Sequence, residues 1–352
     1  MITKKPWLMK KGILLLLIGL SFFLVYLYFL GGVTALADLS VRLQTVNLPY
    51  YSLAFISIIL CMLLSSLAWH RLLSLLSIRV GRRKVFLYVW VGTFVDLLVP
   101  AESISGDASK VYLMSKNSNA NSGKVAASVV GHRILSMTVT FGGLIVSSVY
   151  FVLKYRPPAL ILDFIVIVAS CSVFSIVLLG YLCLREQTTR RIVNWVISLA
   201  TRIFRGRWEL TSLRSKAQKM LRAFHRGMNV LAKYPKGLAW PVVLSIASWF
   251  FHVLVAFFVF ASIGVEIPLS AIVLVYSISI TLQGVPIGVP GEIGFMEAVM
   301  TTLYTMLGFG IDVSAAAAAT LLIRIITLWF RLAVGYASVQ WIGIKALMGS
   351  KQ

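Results

Sequence analysis

The sequence predicts an all-α, polytopic integral membrane protein built as two inverted repeats, with about six full spans and two re-entrant helical hairpins. Three observations carry that expectation. Hydrophobic residues make up 59% of the 352 and charged residues 12%, against about 45–50% and about 25% in soluble domains. Apolar stretches of about 20 residues, the length that crosses a bilayer as a helix, recur along the whole chain. Finally, a short pattern occurs twice. Val99-Pro100-Ala101-Glu102, with Asp107 five residues after the Glu, returns as Val289-Pro290-Gly291-Glu292, with Glu297 five after. Each copy ends a short apolar segment and is followed by a small-residue helix start and an arginine in apolar sequence: Ala126-Ala127-Ser128 then Arg133, and Ala318-Ala319-Thr320 then Arg324. Of 11 acidic residues in the chain, four stand at these two breaks. Related halves with interrupted helices, polar at the break, are a common way to build a transport site near the bilayer midplane.

The elements follow in order. Residues 12–31 form a first span, and 33–49, with Leu36, Leu39, Leu43 and Val46 beside Asp38 and Arg42, read as an interfacial amphipathic segment. Residues 50–76 form a second span and lead into Arg71, Arg79, Arg82, Arg83 and Lys84. The apolar segment 85–99 is about 22 Å long at 1.5 Å per residue, too short for the ~30 Å hydrocarbon core. A polar stretch from Glu102 to Lys124 follows, so residues 85–116 are expected to enter and leave by the same face. Residues 125–153 and 159–184 are full spans, completing a first repeat over about 50–184. Residues 185–236 carry 13 Lys/Arg against Glu186 and Glu209. Their apolar positions (Ile192, Trp195, Leu199, Ile203, then Leu213, Leu221, Phe224, Met228, Leu231) recur at helical spacing. Surface helices on anionic lipid fit that pattern, and a solvated linker whose charge only sets topology is the plainer alternative. The second repeat, about 238–346, has a span at 238–262, two short apolar pieces at 269–285 and 295–309 around the Glu292 break, and a last helix at 314–346. That helix carries Arg324 and Arg331 on one face.

Composition also excludes. A net charge of +22 would suggest nucleic acid in a soluble domain, but here the basic residues lie between apolar runs, where the positive-inside bias and anionic lipid account for them. No nucleic-acid partner is expected. Cys61, Cys171 and Cys183 lie in apolar runs with neither metal-ligand nor disulfide spacing, and the four histidines are scattered, so neither metal nor cofactor is expected. Lys4, Lys5, Lys10 and Lys11 before an apolar run imitate a signal peptide, but the run exceeds the usual h-region of about 7–15 residues and reads as a retained helix. Charge places both termini, the 70–84 cluster and the 185–236 segment on the cytoplasmic side of the cell membrane. The Glu102 hairpin then enters from the cytoplasm and the Glu292 hairpin from outside.

Val-Pro in an apolar run interrupts a helix, because proline lacks an N–H and restricts the residue before it. Pro100 and Pro290 are therefore hinge candidates, with Gly106, Gly291 and Gly294. A charge at the centre of a membrane helix costs about 2.5–3.5 kcal/mol on insertion scales, so these charges are expected to pair. The expectation is Glu292 or Glu297 against Arg324, and Glu102 or Asp107 against Arg133. Such pairs either hold the halves together or line an amphiphile path, where arginines, including Arg331, attract a phosphate and carboxylates attract a cationic group. Lys110 and Tyr112 read either as head-group contacts or as ordinary loop residues, His132 as a phosphate ligand or proton relay or as a structural histidine, and Asp96, in the 85–99 segment, as a residue lining the same cavity. Trp7, Trp69, Trp90, Trp195, Trp240 and Trp341 read as interfacial anchors.

Taken in order, the basic cluster, the P-x-E-x₄-D segment, A-A-S-V-V-G-H-R, P-I-G-V-P-G-E-I-G-F-M-E-A and R-I-I-T-L-W-F-R-L-A-V-G resemble the transmembrane region of lysylphosphatidylglycerol synthase, the flippase-like or multiple peptide resistance factor family. The likeness covers nearly the whole chain. Pro290, Gly291, Gly294 and Glu297 match its second hallmark, Gly106, Asp107 and Lys110 match the first, and Arg133 and Arg324 fall at its recurring arginines. The resemblance implies movement of a charged or glycosylated lipid, an aminoacyl-phospholipid or a polyprenyl-phosphate-linked sugar, between leaflets. Two-part relatives carry a soluble aminoacyl-tRNA-dependent transferase after this region; this chain stops at Gln352, so synthesis of lysyl lipid is not expected of it. A membrane-embedded lipid or glycosyl transferase and an accessory scaffold are the alternatives. The expected partners are membrane lipids, with anionic head groups at 185–236, a second copy of the chain, and a separate lipid-modifying enzyme.

Overall fold

The computed structural model describes residues 6–99, 104–118, 120–155, 159–203, 210–283 and 288–349. Pro100 and Glu102, named above as hinge and site candidates, lie outside the described residues. Six helices are long and apolar enough to cross a membrane: α1 (Pro6–Gln44), α2 (Leu48–Leu75), α5 (Ser122–Tyr155), α6 (Ala159–Leu184), α9 (Pro235–Ser262), and a last one made of α12 (Val313–Arg324), a π-helical turn (Ile325–Phe330) and α13 (Arg331–Gly349). Shorter pieces lie between them: α3 (Arg82–Leu98), α4 (Ile104–Ser118), α7 (Glu186–Ile203), α8 (Leu210–Lys233), α10 (Leu269–Leu282) and α11 (Phe295–Met306). The chain is an all-α polytopic membrane protein.

The centre of the bundle is the pair α2 and α9, each 28 residues long. They run antiparallel. The Asn47 N–H donates to the Ser262 carbonyl at 2.8 Å, the Ser248 hydroxyl donates to the Cys61 carbonyl at 2.9 Å, and Gly237 lies against Leu75. Several packing relations come in matching sets: α2 touches α3 and α5 as α9 touches α10 and α12, α3 packs on α4 as α10 on α11, and α4 on α5 as α11 on α12. The first arm of each hairpin also crosses to the other half, α3 onto α13 and α10 onto α5. Because α2 and α9 are antiparallel, the hairpin leaving the Leu75 end and the hairpin leaving the Ser262 end enter the bundle from opposite ends.

The first hairpin is zipped along its length. Asn117 donates to the Tyr88 hydroxyl at 2.7 Å near the open end, and near the tip the Gly106 N–H donates to Asp96 at 2.6 Å. Gly106 is required there, since a Cβ would collide with the Gly92 carbonyl and the Asp96 carboxylate. At 17 and 15 residues, the arms are about 25 and 22 Å long, below the ~30 Å needed to span.

Four expectations are corrected. Residues 33–44 continue α1 past a break at Gly32 (φ 69°) and pack on α12, where Leu39 meets Ala317 and Ala318; the alanine run offers a flat surface to another helix, so Ala35 and Leu39 are buried in protein while Leu43 stays exposed. The last helix is not uniformly α, since the π turn falls between Arg324 and Arg331. Trp69 and Trp90 are core residues, each 1% exposed; Trp69 donates its indole N–H to Ser128 at 3.0 Å, which satisfies the one polar atom that would otherwise favour the interface. Finally, α8 turns Phe224, Met228 and Leu231 onto α5 and its neighbours, with Gly123 and Gly227 allowing close approach. On α7, Ile192 and Trp195 are uncovered.

Candidate functional site

The second break is an unwound turn held by one ion pair. Val289 is extended and Pro290 opens a single 3₁₀ turn through Glu292, a position that needs no N–H donor. Gly291 (φ 61°) and Gly294 (φ 89°) occupy left-handed backbone, as does Glu292 (φ 54°). Such a conformation costs a non-glycine residue about 1–3 kcal/mol and persists where the surroundings enforce it. Here the enforcing group is Arg324. It donates from Nε to Glu297 Oε1 at 2.6 Å and from Nη2 to the Gly291 carbonyl. Glu297, in the first turn of α11, uses its other oxygen to accept from the Gly294 N–H at 2.6 Å. Both side chains of the pair are 6% exposed. Of the two carboxylates the sequence offered to Arg324, Glu297 is the partner, and Glu292 lines the adjoining cavity.

The first break repeats the chemistry in a looser form. Asp107, in the first turn of α4, accepts from Arg133 at 3.3 Å and from Lys110 at 2.8 Å. These three side chains are 15–30% exposed. Thus Asp107 and Arg133, 26 residues apart, match Glu297 and Arg324, 27 apart. Asp96 adds an interaction across the hairpin, accepting from the Ser105 hydroxyl at 3.0 Å and the Gly106 N–H. A carboxylate therefore binds backbone N–H near the start of the second arm in both hairpins, Asp96 in one and Glu297 in the other, which is favourable at a helix N-terminus.

The two hairpins meet at one cavity of about 170 Å³. Asp96 reaches it from the first hairpin, Gly291 and Glu292 from the second, and Arg324 and Arg331 from either side of the π turn. Asp107, Lys110, Arg133, Pro290, Gly294 and Glu297 are not on its wall. Arg331 is poorly satisfied: one guanidinium nitrogen donates weakly to the Thr327 carbonyl at 3.4 Å, Nε is buried without a hydrogen-bond partner, and among the described residues no carboxylate forms an ion pair with it. On the far wall the Tyr276 hydroxyl and His252 Nδ1 are 3.0 Å apart. Sequence reasoning did not find that pair, which comes from two helices 24 residues apart with no motif to mark it. Asp96 did carry a signal, as the one acidic residue in the apolar segment 85–99.

In this multi-pass membrane protein, two interrupted hairpins thus converge on one charged cavity. Comparison with known proteins identifies the family. Residues 16–335 match the lysylphosphatidylglycerol synthase TM region family, and the chain belongs to it. The chain is similar to proteins named UPF0104 membrane protein in archaea: 25% identical over 341 residues to one from Methanothermobacter thermautotrophicus, covering 95% of this chain and 96% of the relative. One from Pyrococcus horikoshii is 26% identical over 334 residues, covering 92% and 95%, and one from Methanocaldococcus jannaschii is 26% identical over 334 residues, covering 94% of each.

Proposed function

We propose that this protein moves a lipid with a phosphate-bearing, charged or glycosylated head group between the two leaflets of the cell membrane. The observation that carries the reading is Arg331, a guanidinium with a buried, unpartnered Nε in the cavity shared by both hairpins. A buried cation left unsatisfied by the protein is costly, and a phosphate oxygen is a strong complement to a guanidinium. Asp96 and Glu292 on the same wall would receive a cationic head group or keep the two arginines apart. The acyl chains stay in hydrocarbon throughout, so only the head group needs a polar path.

In this reading the halves are inverted repeats, about 50–184 and 238–346, with both termini and the basic 185–236 segment in the cytoplasm. The hairpins would rock against the α2–α9 pair, opening the cavity to one side as the other closes. The cavity favours a head group with at least one anionic oxygen.

The test is leaflet exchange in reconstituted vesicles, with wild type against Arg331→Gln and Arg331→Lys. A fluorescent phospholipid and a polyprenyl-phosphate probe would be followed by quenching of the outer leaflet. Transport of one probe by wild type, lost in Arg331→Gln and partly kept in Arg331→Lys, supports the proposal. Folded, inserted Arg331→Gln that transports at the wild-type rate refutes it. Chemical conversion of the lipid without exchange would assign the cavity to a transferase instead.

A further inference from the structure

A second cavity, of about 210 Å³, lies between α5, α6 and α8, away from the charged one. Its wall includes Leu72 of α2, Ile134 and Leu135 of α5, Gly180 and Cys183 of α6, and Met228 of α8; every lining residue is Leu, Ile, Met, Ala, Gly or Cys. Water has no partner in such a space, and its lining loses packing contacts unless something apolar fills it. The wall is tied together by His225, whose Nδ1 donates to the Cys183 carbonyl at 2.9 Å. This bond pins amphipathic α8 to the end of α6.

The rim has the opposite character. Leu184, Ala232 and Leu238 line the cavity, and one or two residues from each stands an exposed cation: Arg185, Lys233 and Lys236. Glu186, exposed beside Arg185, is the one carboxylate at these positions. An apolar slot with a cationic rim, beneath a helix of a strongly basic amphipathic segment, complements a lipid whose chain is buried and whose phosphate remains at the surface.

We propose that this cavity is a fixed binding site for an anionic phospholipid of the leaflet facing α7 and α8. One acyl chain lies between α5, α6 and α8, and the phosphate meets Lys233, Lys236 and Arg185. The site is separate from the transport cavity, and its lipid stays bound. Because α8 is seated closely on the first half of α5 through Gly123 and Gly227, the lipid braces the helix that carries Arg133.

Gly180 supplies the decisive variant. A Cβ there would meet nothing within 4 Å, so Gly180→Leu and Gly180→Phe can start a side chain on the cavity wall without a clash at the backbone and occupy the slot. Gly142→Phe, also open on α5 but not on the cavity wall, is the control for an added aromatic. Protein reconstituted in mixed phosphatidylglycerol and phosphatidylcholine vesicles is extracted in mild detergent, and retained lipid is read by native mass spectrometry. Wild type and Gly142→Phe should retain phosphatidylglycerol in preference to phosphatidylcholine. Both Gly180 variants should lose it, whereas the Lys233→Gln/Lys236→Gln variant should bind the two lipids equally. Arg331→Gln should retain phosphatidylglycerol as wild type does; loss there would place the lipid in the transport cavity and overturn the proposal. Undiminished retention by both Gly180 variants, detergent as the only adduct, or a dimer that Gly180→Phe abolishes would each overturn it as well.

Discussion

Replacing Glu297 with Gln keeps the size of the side chain and removes its charge, so it isolates what the buried ion pair contributes. At the observed 2.6 Å, an effective dielectric of about 20 gives about 6 kcal/mol of direct attraction between Arg324 and Glu297. Much of that offsets the desolvation of both groups. Removal of one partner leaves the other charged, buried and uncompensated, and that is the larger effect, about 3–5 kcal/mol. Screening does not discount it here, because each side chain is 6% exposed. The Gln amide oxygen can still accept from Gly294 or Arg324, which favours the lower end, about 3 kcal/mol. Asp107→Asn should cost less, about 1 kcal/mol, because that cluster is partly exposed. Reversible unfolding in mixed micelles, followed by far-ultraviolet circular dichroism, measures both. The double variant Glu297→Gln/Arg324→Gln should be less destabilised than the sum of its single variants, since no lone charge remains. Stability of Glu297→Gln within about 0.5 kcal/mol of wild type, or a larger loss in Asp107→Asn, would refute the assignment of the buried pair as the element that holds the second break.

Three further outcomes are expected. Gly291→Ala should destabilise by about 1–3 kcal/mol, because its φ is positive and its Cβ would fall 2.6 Å from a Leu328 methyl; adding Leu328→Ala should relieve the contact and not the backbone strain, so recovery in unfolding experiments should be partial. Asp312 caps α12, accepting from the Ala315 N–H at 2.7 Å, and pairs with Arg42. Burial alone would raise its pKa, but the bonds from Ser314 and Ala315 and the charge of Arg42 outweigh it and lower it. Its charge adds stability that is fully present above the unfolded value of about 4 and lost as pH falls through the lowered folded value; Asp312→Ala should cost about 0.5–2 kcal/mol at neutral pH, and less as the carboxylate protonates, which unfolding measured against pH checks. Single cysteines at Lys116 and Glu266, exposed at the open ends of the two hairpins, should label with an impermeant maleimide from opposite sides of intact cells; labelling from one side would refute the inverted arrangement.

Much of this protein is legible in the chain because a bilayer constrains sequence so strongly. Backbone polar groups in hydrocarbon must be satisfied within helices, so apolar length alone locates the spans, and segments too short to cross must turn back. Likewise, charges set in apolar sequence must find opposite charges, so the doubled motif pointed to Arg324 with an acidic partner and to Arg133 with another. Which carboxylate answers each arginine was decided by the fold. Glu297 and Asp107 occupy the first turn of their helices and face the following helix, whereas Glu292 sits in left-handed backbone that aims it into the cavity. The cavity itself is purely tertiary. Asp96, Tyr276, His252 and Arg331 lie on four different helices, and no spacing along the chain relates them. The same holds for Trp69, for residues 33–44 and for the apolar stripe of α8. The hydrophobicity of each was plain, but whether it would face lipid or protein depended on a partner surface, the Ser128 hydroxyl, the alanine run of α12 and the glycines of α5, that exists only once the helices have packed.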